Sequence, residues 1–365
     1  MRIEISLYMP SCVAANVRKL KLCELFAAMS QVIPLIRSAA MVPFIRWIDQ
    51  NRRPLDRLLD AADLAALPIG DPIQPIPIYS VATFLQQLAQ LEGPDIGCKV
   101  VSSASVLELA TVGQIALGSR TPREALIRVI SALPFHCSHE IITLCRVNQT
   151  TVLRDTFSIP LGSDVMHIIH QFVASVIQEL CAMTGAQAPI LMDVKIIPHP
   201  KYGLEHLVPF LGKNISASPD RSLALTIDDT VMDHPFMVTA RERQIKEPPT
   251  GWHPLRSDGS FEETARIVIA GMLADGAPTI LRLAAASGMS VRTLQRRFDQ
   301  CGTTFSNVLD DVRRSEALNE LSARGPTVGE IATMLGYERQ TSLTRAVRRW
   351  TGETPTGHRL RSEIT

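Results

Sequence analysis

Two short stretches of the sequence carry side chains that could read the edges of base pairs. In Thr279–Phe298 (TILRLAAASGMSVRTLQRRF), Arg292, Gln295 and Arg296, with Asp299 just beyond, recur at three- and four-residue spacing. In Thr327–Val347 (TVGEIATMLGYERQTSLTRAV), Gln340, Thr341, Thr344 and Arg345, with Arg348 just beyond, do the same. That spacing places each set on one face of a helix. Arginine can grip guanine through two hydrogen bonds, a glutamine amide matches adenine, and threonine can bond a base edge or lay its methyl on thymine. Arg292, Gln295 and Arg296, and then Gln340, Thr341, Thr344 and Arg345, are therefore the candidate base-reading residues. Arg297, Arg349, Arg359 and Arg361 lie off those faces and, together with Arg348, are candidates for phosphate contacts, which fix affinity and register rather than sequence choice.

Something must hold those faces outward. In each stretch an alanine precedes a glycine by four residues, Ala284 before Gly288 and Ala332 before Gly336. A small residue lets two helices cross closely, and the glycine supplies the positive φ of a tight turn. Beyond the turns, Leu294 and Phe298 form one apolar stripe and Leu343, Val347 and Trp350 another. The pattern predicts helix, turn, helix twice, with each second helix pinned by its stripe.

Charge alone does not make this case. The chain carries +1 overall, so any preference for nucleic acid, membrane or acidic partners must come from local arrangement. From Asp258 onward there are fourteen Arg and no Lys against thirteen Asp plus Glu, a near-neutral domain that also fits a merely solvated helix face. The acids, however, concentrate at Glu262, Glu263, Asp310, Asp311, Glu316 and Glu320, away from the arginine-rich helices. Using arginine throughout also favours planar, bidentate recognition.

At 365 residues the chain exceeds what one core usually organises, and 46% apolar residues exclude a largely disordered protein. Arg241–Ser260 (RERQIKEPPTGWHPLRSDGS) has three prolines, two glycines and no periodicity, and reads as a linker. Before it, Ser80–Leu91 and Thr121–Leu133 space apolar residues as amphipathic helices. Thr121, Pro122 and Glu124 supply the cap, first-turn proline and acid of a helix start. Glu140–Pro160 reads as a hairpin around Asn148 and Gln149. Asp164–Thr184 is a further helix stopped by Gly185, and Met192–Ile197 and Leu223–Ile227 are short strands. The fold expected is thus an α+β N-terminal region suited to enclosing a ligand, followed by an all-α domain with two helix-turn-helix units.

Other chemistries find no residue set. Seven scattered cysteines without a C-x-x-C pair suit reduced thiols in a cytoplasm. Met1–Lys21 lacks a signal peptide's apolar stretch, and every greasy segment is broken by Arg, Asp, Gln or Pro, so neither secretion nor a membrane span is expected. His136 and His139 flank Cys137, and His167 and His170 stand three apart. Without a converging set of three or four ligands these read as partly buried, satisfied histidines, with a ligand contact by one of them as the alternative, and no metal or cofactor is expected. No Gly-rich phosphate loop, G-x-S-x-G elbow or kinase triplet occurs, so no enzymatic role is expected.

Gly288–Phe298, Ile331–Gly336 and Ser342–Arg359 (SLTRAVRRWTGETPTGHR) together resemble the double helix-turn-helix domain of AraC/XylS-type transcriptional regulators over about the last hundred residues. The resemblance implies two recognition helices joined by one long helix, drawn here from Thr303–Leu321, and set in successive major grooves. It assigns base-facing roles to the same seven residues. Aromatic residues are usual in the family where this chain has Leu343, Val347 and His358, which implies looser packing of the second unit. Pro75–Leu91, Gly113–Leu133 and Val194–Phe210 are similar to the sensor and dimerisation domain of a branch of that family named after arabinose binding, although a helix-rich pattern argues against a simple sugar barrel. The organisation implied is an unmatched extension over 1–28 with Met29 as the true start, a ligand-sensing and dimerisation domain over 29–240, the linker over 241–260, and a DNA-binding domain over 261–365. The implied partners are double-stranded promoter DNA, a small-molecule effector, a second copy of the chain and, as a further candidate, RNA polymerase. The implied role is that of an activator, the alternatives being a repressor or a protein-interaction adaptor.

Overall fold

The computed structural model describes residues 32–65, 71–237, 252–255, 260–273, 278–323 and 325–362. The expected extension over 1–28, the start at Met29 and most of the 241–260 linker lie outside them.

The N-terminal region is mixed α+β. A two-stranded antiparallel ribbon pairs β1 (Leu35–Arg37) with β2 (Pro75–Pro77), and between them lie α1 (Val42–Gln50) and α2 (Leu55–Ala61). Then come α3 (Ile78–Glu92), α4 (Ala110–Leu117) and α5 (Pro122–His136), with one-turn helices between. A five-stranded sheet follows in the order β3-β4-β7-β5-β6, built from β3 (Glu140–Val147), β4 (Thr150–Phe157), β5 (Leu191–Ile196), β6 (Ile215–Ala217) and β7 (Leu223–Asp228). Only β5 and β6 run parallel. Helix α6 (Ser163–Ala182) lies in the core, packed on the sheet and on α3. By length and composition α6 alone among the described helices could cross a membrane, yet 61% of its apolar window is buried inside this fold.

Local sequence explains most of these elements. Thr121 accepts a hydrogen bond from the Glu124 amide, as its cap position requires, but α5 runs on to His136 through Pro134 rather than ending at Leu133. A proline so near a helix end removes only one late hydrogen bond, and the extra turn carries His136 into the core. The hairpin turns at Asn148, which takes φ +57, a conformation asparagine tolerates. None of the described cysteines is in a disulfide.

The C-terminal domain is all helix: α7 (Phe261–Leu273), α8 (Ile280–Ala286), α9 (Val291–Gln300), α10 (Phe305–Ser322), α11 (Val328–Met334), α12 (Gln340–Thr351) and α13 (Pro355–Ser362). Its core gathers Phe261, Ile269, Leu283, Leu294, Phe298 and Leu343, and also Ile33 and Leu35 from the far end of the chain. This domain is therefore completed by the β1 segment, which no pattern in the sequence announces. Each buried side chain of this size contributes about 1.5 to 3 kcal/mol.

Candidate nucleic-acid interface

The first helix-turn-helix unit is α8, a turn at Gly288 and α9. Thr279 caps α8 by accepting from the Arg282 amide, and Ser290 caps α9 by accepting from the Thr293 amide at 3.1 Å. Gly288 takes φ +63, which explains its glycine. Leu294 and Phe298 are wholly buried, Phe298 edge-on to Phe261 with centroids 5.1 Å apart. That anchoring leaves Arg292, Gln295, Arg296 and Asp299 exposed on one side of α9, with Arg297 half-buried.

The second unit is α11, a turn at Gly336 (φ +68) and α12. Thr327 and Glu330 form a reciprocal capping box at the start of α11. Leu343 and Val347, where the family usually has aromatic rings, are wholly buried. Gln340, Thr341, Arg345, Arg348 and Arg349 are exposed; Thr344 is half-buried, its hydroxyl donating to the Gln340 carbonyl at 3.1 Å.

Helix α10 connects the units over 18 residues, about 27 Å at 1.5 Å per residue. It also grips the second unit through two residues that spacing did not flag. Arg313 donates from Nε to the Leu335 carbonyl at 2.9 Å and from Nη2 to the Gly336 carbonyl at 3.2 Å, with its guanidinium over the Tyr337 ring. Asp310 accepts from Trp350 Nε1 at 2.9 Å and from Arg349 Nη2 at 2.5 Å. The turn and recognition helix of the second unit are thus both tied to the connecting rod.

The phosphate candidates divide accordingly. Arg348 is exposed, whereas Arg349 lies on Asp310, Arg359 donates to the Pro326 carbonyl at 2.6 Å, and Arg361 pairs with Glu353 at 2.7 Å. The exposed pairs cost little to break when a phosphate competes.

The histidines depart from expectation. His167 is satisfied, Nδ1 lying 2.6 Å from the Ile197 carbonyl and Nε2 2.9 Å from His206, and Ser138 lies 2.6 Å from Nδ1 of His139. His170 is wholly buried with neither ring nitrogen hydrogen-bonded, and Nδ1 of buried His136 also lacks a partner. Sequence spacing cannot reveal this, because satisfaction depends on what the fold brings alongside. Among the described residues no cluster of three or more His, Cys, Asp or Glu has a metal-holding arrangement.

Residues 283–361 match the family model of the helix-turn-helix domain. The ornithine utilization regulator of Pseudomonas aeruginosa is 41% identical over 70 residues, covering 19% of this chain and 21% of that protein. The HTH-type transcriptional regulator VirS of Mycobacterium tuberculosis is 33% identical over 105 residues, 29% of this chain and 31% of its own. The chain thus spans between about a fifth and a third of the length of these relatives. The crystal structure of the transcriptional regulator CdpR from Pseudomonas aeruginosa aligns over 88% of this chain and 98% of that one, at 18% identity and a TM-score of 0.38.

Proposed function

We propose, proceeding from an AraC-type helix-turn-helix domain in residues 283–361, that the chain is a ligand-responsive, sequence-specific DNA-binding regulator of transcription. The observation that carries this reading is the pair of recognition helices, each buried through its apolar stripe and presenting arginine, glutamine and threonine to solvent. In this reading Arg292, Gln295 and Arg296 on α9, and Gln340, Thr341, Thr344 and Arg345 on α12, read bases in two major grooves about 34 Å apart along the duplex. Arg297, Arg348, Arg349, Arg359 and Arg361 meet phosphates.

The N-terminal region acts as sensor and as the surface for homodimerisation, and the chain works in the cytoplasm. Activation is the sign of regulation we assign, with RNA polymerase as the further partner; this rests on analogy with proteins of the same type. Effector binding works by shifting populations between arrangements of the two regions. Direct contacts between the regions support such coupling: α3 packs on α8, and β2 packs on α7.

The test is selection of a random duplex library on the full-length chain, followed by titration of the enriched sequence and a scrambled one at several salt concentrations. A specific regulator enriches one motif and binds it roughly 10³-fold or more tightly than the scramble. An adaptor that uses the same helices to hold an acidic protein shows no preference among sequences.

A further inference from the structure

The N-terminal region holds a partly open cavity of about 160 Å³ between the inward face of the sheet and helices α1, α3, α4, α5 and α6. Its wall is hydrocarbon, typified by Phe44, Val81, Leu85, Val112, Ala116 and Phe172, with the two phenyl rings 5.1 Å apart. Only two of its lining side chains are polar: His136 at the end of α5 and Glu140 at the start of β3, each 7% exposed.

The polar end is built to meet something. Nδ1 of His136 has no hydrogen-bond partner, and a buried polar atom left so costs about 1 to 3 kcal/mol. Burial and the Arg37 guanidinium beside it hold the imidazole down at about 4, so it is neutral near pH 7. Arg37 is itself fixed, with Nε donating to the Phe135 carbonyl at 3.0 Å and Nη2 to the His253 carbonyl at 2.7 Å.

We infer that this cavity binds a small, uncharged, largely hydrocarbon molecule of about one six-membered ring, with a single hydroxyl held by His136 and Glu140. Size sets the first limit, since an apolar cavity of about 150 Å³ accepts benzene. Polarity sets the second: each hydroxyl of a sugar would need a partner, and two side chains cannot serve them all. Charge sets the third, because the Arg37 guanidinium beside His136 opposes a cationic head and the Glu140 carboxylate an anionic one. A hydroxyl can donate its one proton to the carboxylate while accepting from the imidazole N–H. The assignment rests on the reading of this region as a sensor and gives it a ligand class. Occupancy would also be felt by the DNA-binding domain: α3 lines the cavity with Ile78, Val81 and Leu85 and carries Tyr79, which lies against Gly288. Ile36 of β1 lines it too, while its neighbour Leu35 sits in the DNA-binding core.

Calorimetry on the full-length chain with p-cresol, cyclohexanol, toluene, benzoate and L-arabinose tests this, with sequence-selective DNA binding measured on the same samples. p-Cresol and cyclohexanol are expected to bind one per chain, toluene at least about tenfold more weakly for want of the hydroxyl's hydrogen bonds, and benzoate and arabinose not at all. His136→Leu should narrow the preference for p-cresol over toluene, leaving only what Glu140 supplies, and Ala116→Leu, which fills the cavity, should abolish binding of both; Val112→Leu fills the same space should Ala116→Leu not fold. If p-cresol and cyclohexanol fail to bind a chain that still selects a DNA sequence, the cavity assignment falls and the DNA reading stands. Probe binding by a chain that selects no sequence sustains the cavity and overturns the DNA reading. Toluene binding as tightly as p-cresol overturns the role given to His136 and Glu140.

Discussion

Arg282, on the first helix of the first helix-turn-helix unit, lies on the carboxylate of Asp63 in the N-terminal region, its Nε 2.9 and 3.1 Å from the two oxygens and its Nη2 2.5 Å from one. Six residues further on, the turn at Gly288 meets the ring of Tyr79 on α3. The first helix-turn-helix unit is therefore docked on the N-terminal region by an ion pair and a ring, close to the α3 residues that line the apolar cavity.

The Gly288 turn gives the sharpest stability prediction. Gly288→Ala places a side chain at φ +63, costing about 1 to 2 kcal/mol, and its Cβ would overlap the Tyr79 ring, adding to that. In a Tyr79→Ala background only the backbone cost should remain. Chemical denaturation of the four variants checks this, and equal penalties in both backgrounds would mean that the ring and turn are not in contact in solution.

Breaking the ion pair should loosen the seam without unfolding either region. Both partners are partly exposed, so Asp63→Asn should cost at most about 1 kcal/mol. Hydrogen exchange should quicken in Ile280–Ala286 and Ile78–Glu92 and stay unchanged in the sheet; uniform quickening would point to global destabilisation.

Arg296→Ala and Arg345→Ala should each cost about 1 to 3 kcal/mol on the selected duplex and relax preference at one position. Arg348→Ala should weaken selected and scrambled duplexes alike and lower the salt slope by about 0.9. Anisotropy titrations separate the two patterns, and parent-like binding by both Arg296→Ala and Arg345→Ala would show that these faces do not read DNA.

Asp310→Ala should act at a distance from the DNA. It removes the acceptor for Trp350 and Arg349, so α12 loses its tie to α10 for about 1 kcal/mol of stability. Specificity should fall at the part of the site read by Gln340–Arg345 and persist at the part read by Arg292–Arg296. Loss at both parts would mean that α10 itself has been disturbed.

Acid should destabilise the N-terminal region. Burial is the chief cause that holds His136 and His167 at about 4 and His170 at about 3, against an ordinary 6.5. Between pH 6.5 and about 4 the unfolded chain takes up these protons and the folded chain does not, so stability falls with falling pH by about 1.4 kcal/mol per unit per proton. Asp155, pushed well above the usual carboxylate range by burial and by the Glu140 carboxylate, works the other way, taking up its proton in the folded chain at a higher pH than in the unfolded one. Asp155→Asn should therefore steepen the loss of stability between pH 6.5 and 4.5, as urea titrations would record; a shallower slope would contradict the buried, neutral state of Asp155.

The sequence by itself determined the two helix-turn-helix units, because their information is local: caps at Ser290 and Thr327, glycines at the turns, and apolar stripes at helical spacing all lie within one unit. It likewise announced α3, α5, α6 and the Asn148 hairpin, which periodicity and turn chemistry define over short windows. Only the tertiary structure decided what lies far apart in the chain and close in space. Ile33 and Leu35 completing the DNA-binding core, Asp63 on Arg282, Tyr79 on Gly288 and Asp310 under Trp350 all join partners brought together by packing, and no periodicity encodes such a pairing. The same holds for the cavity: its apolar lining residues read in sequence as ordinary core, and only the packing of distant elements leaves the space between them.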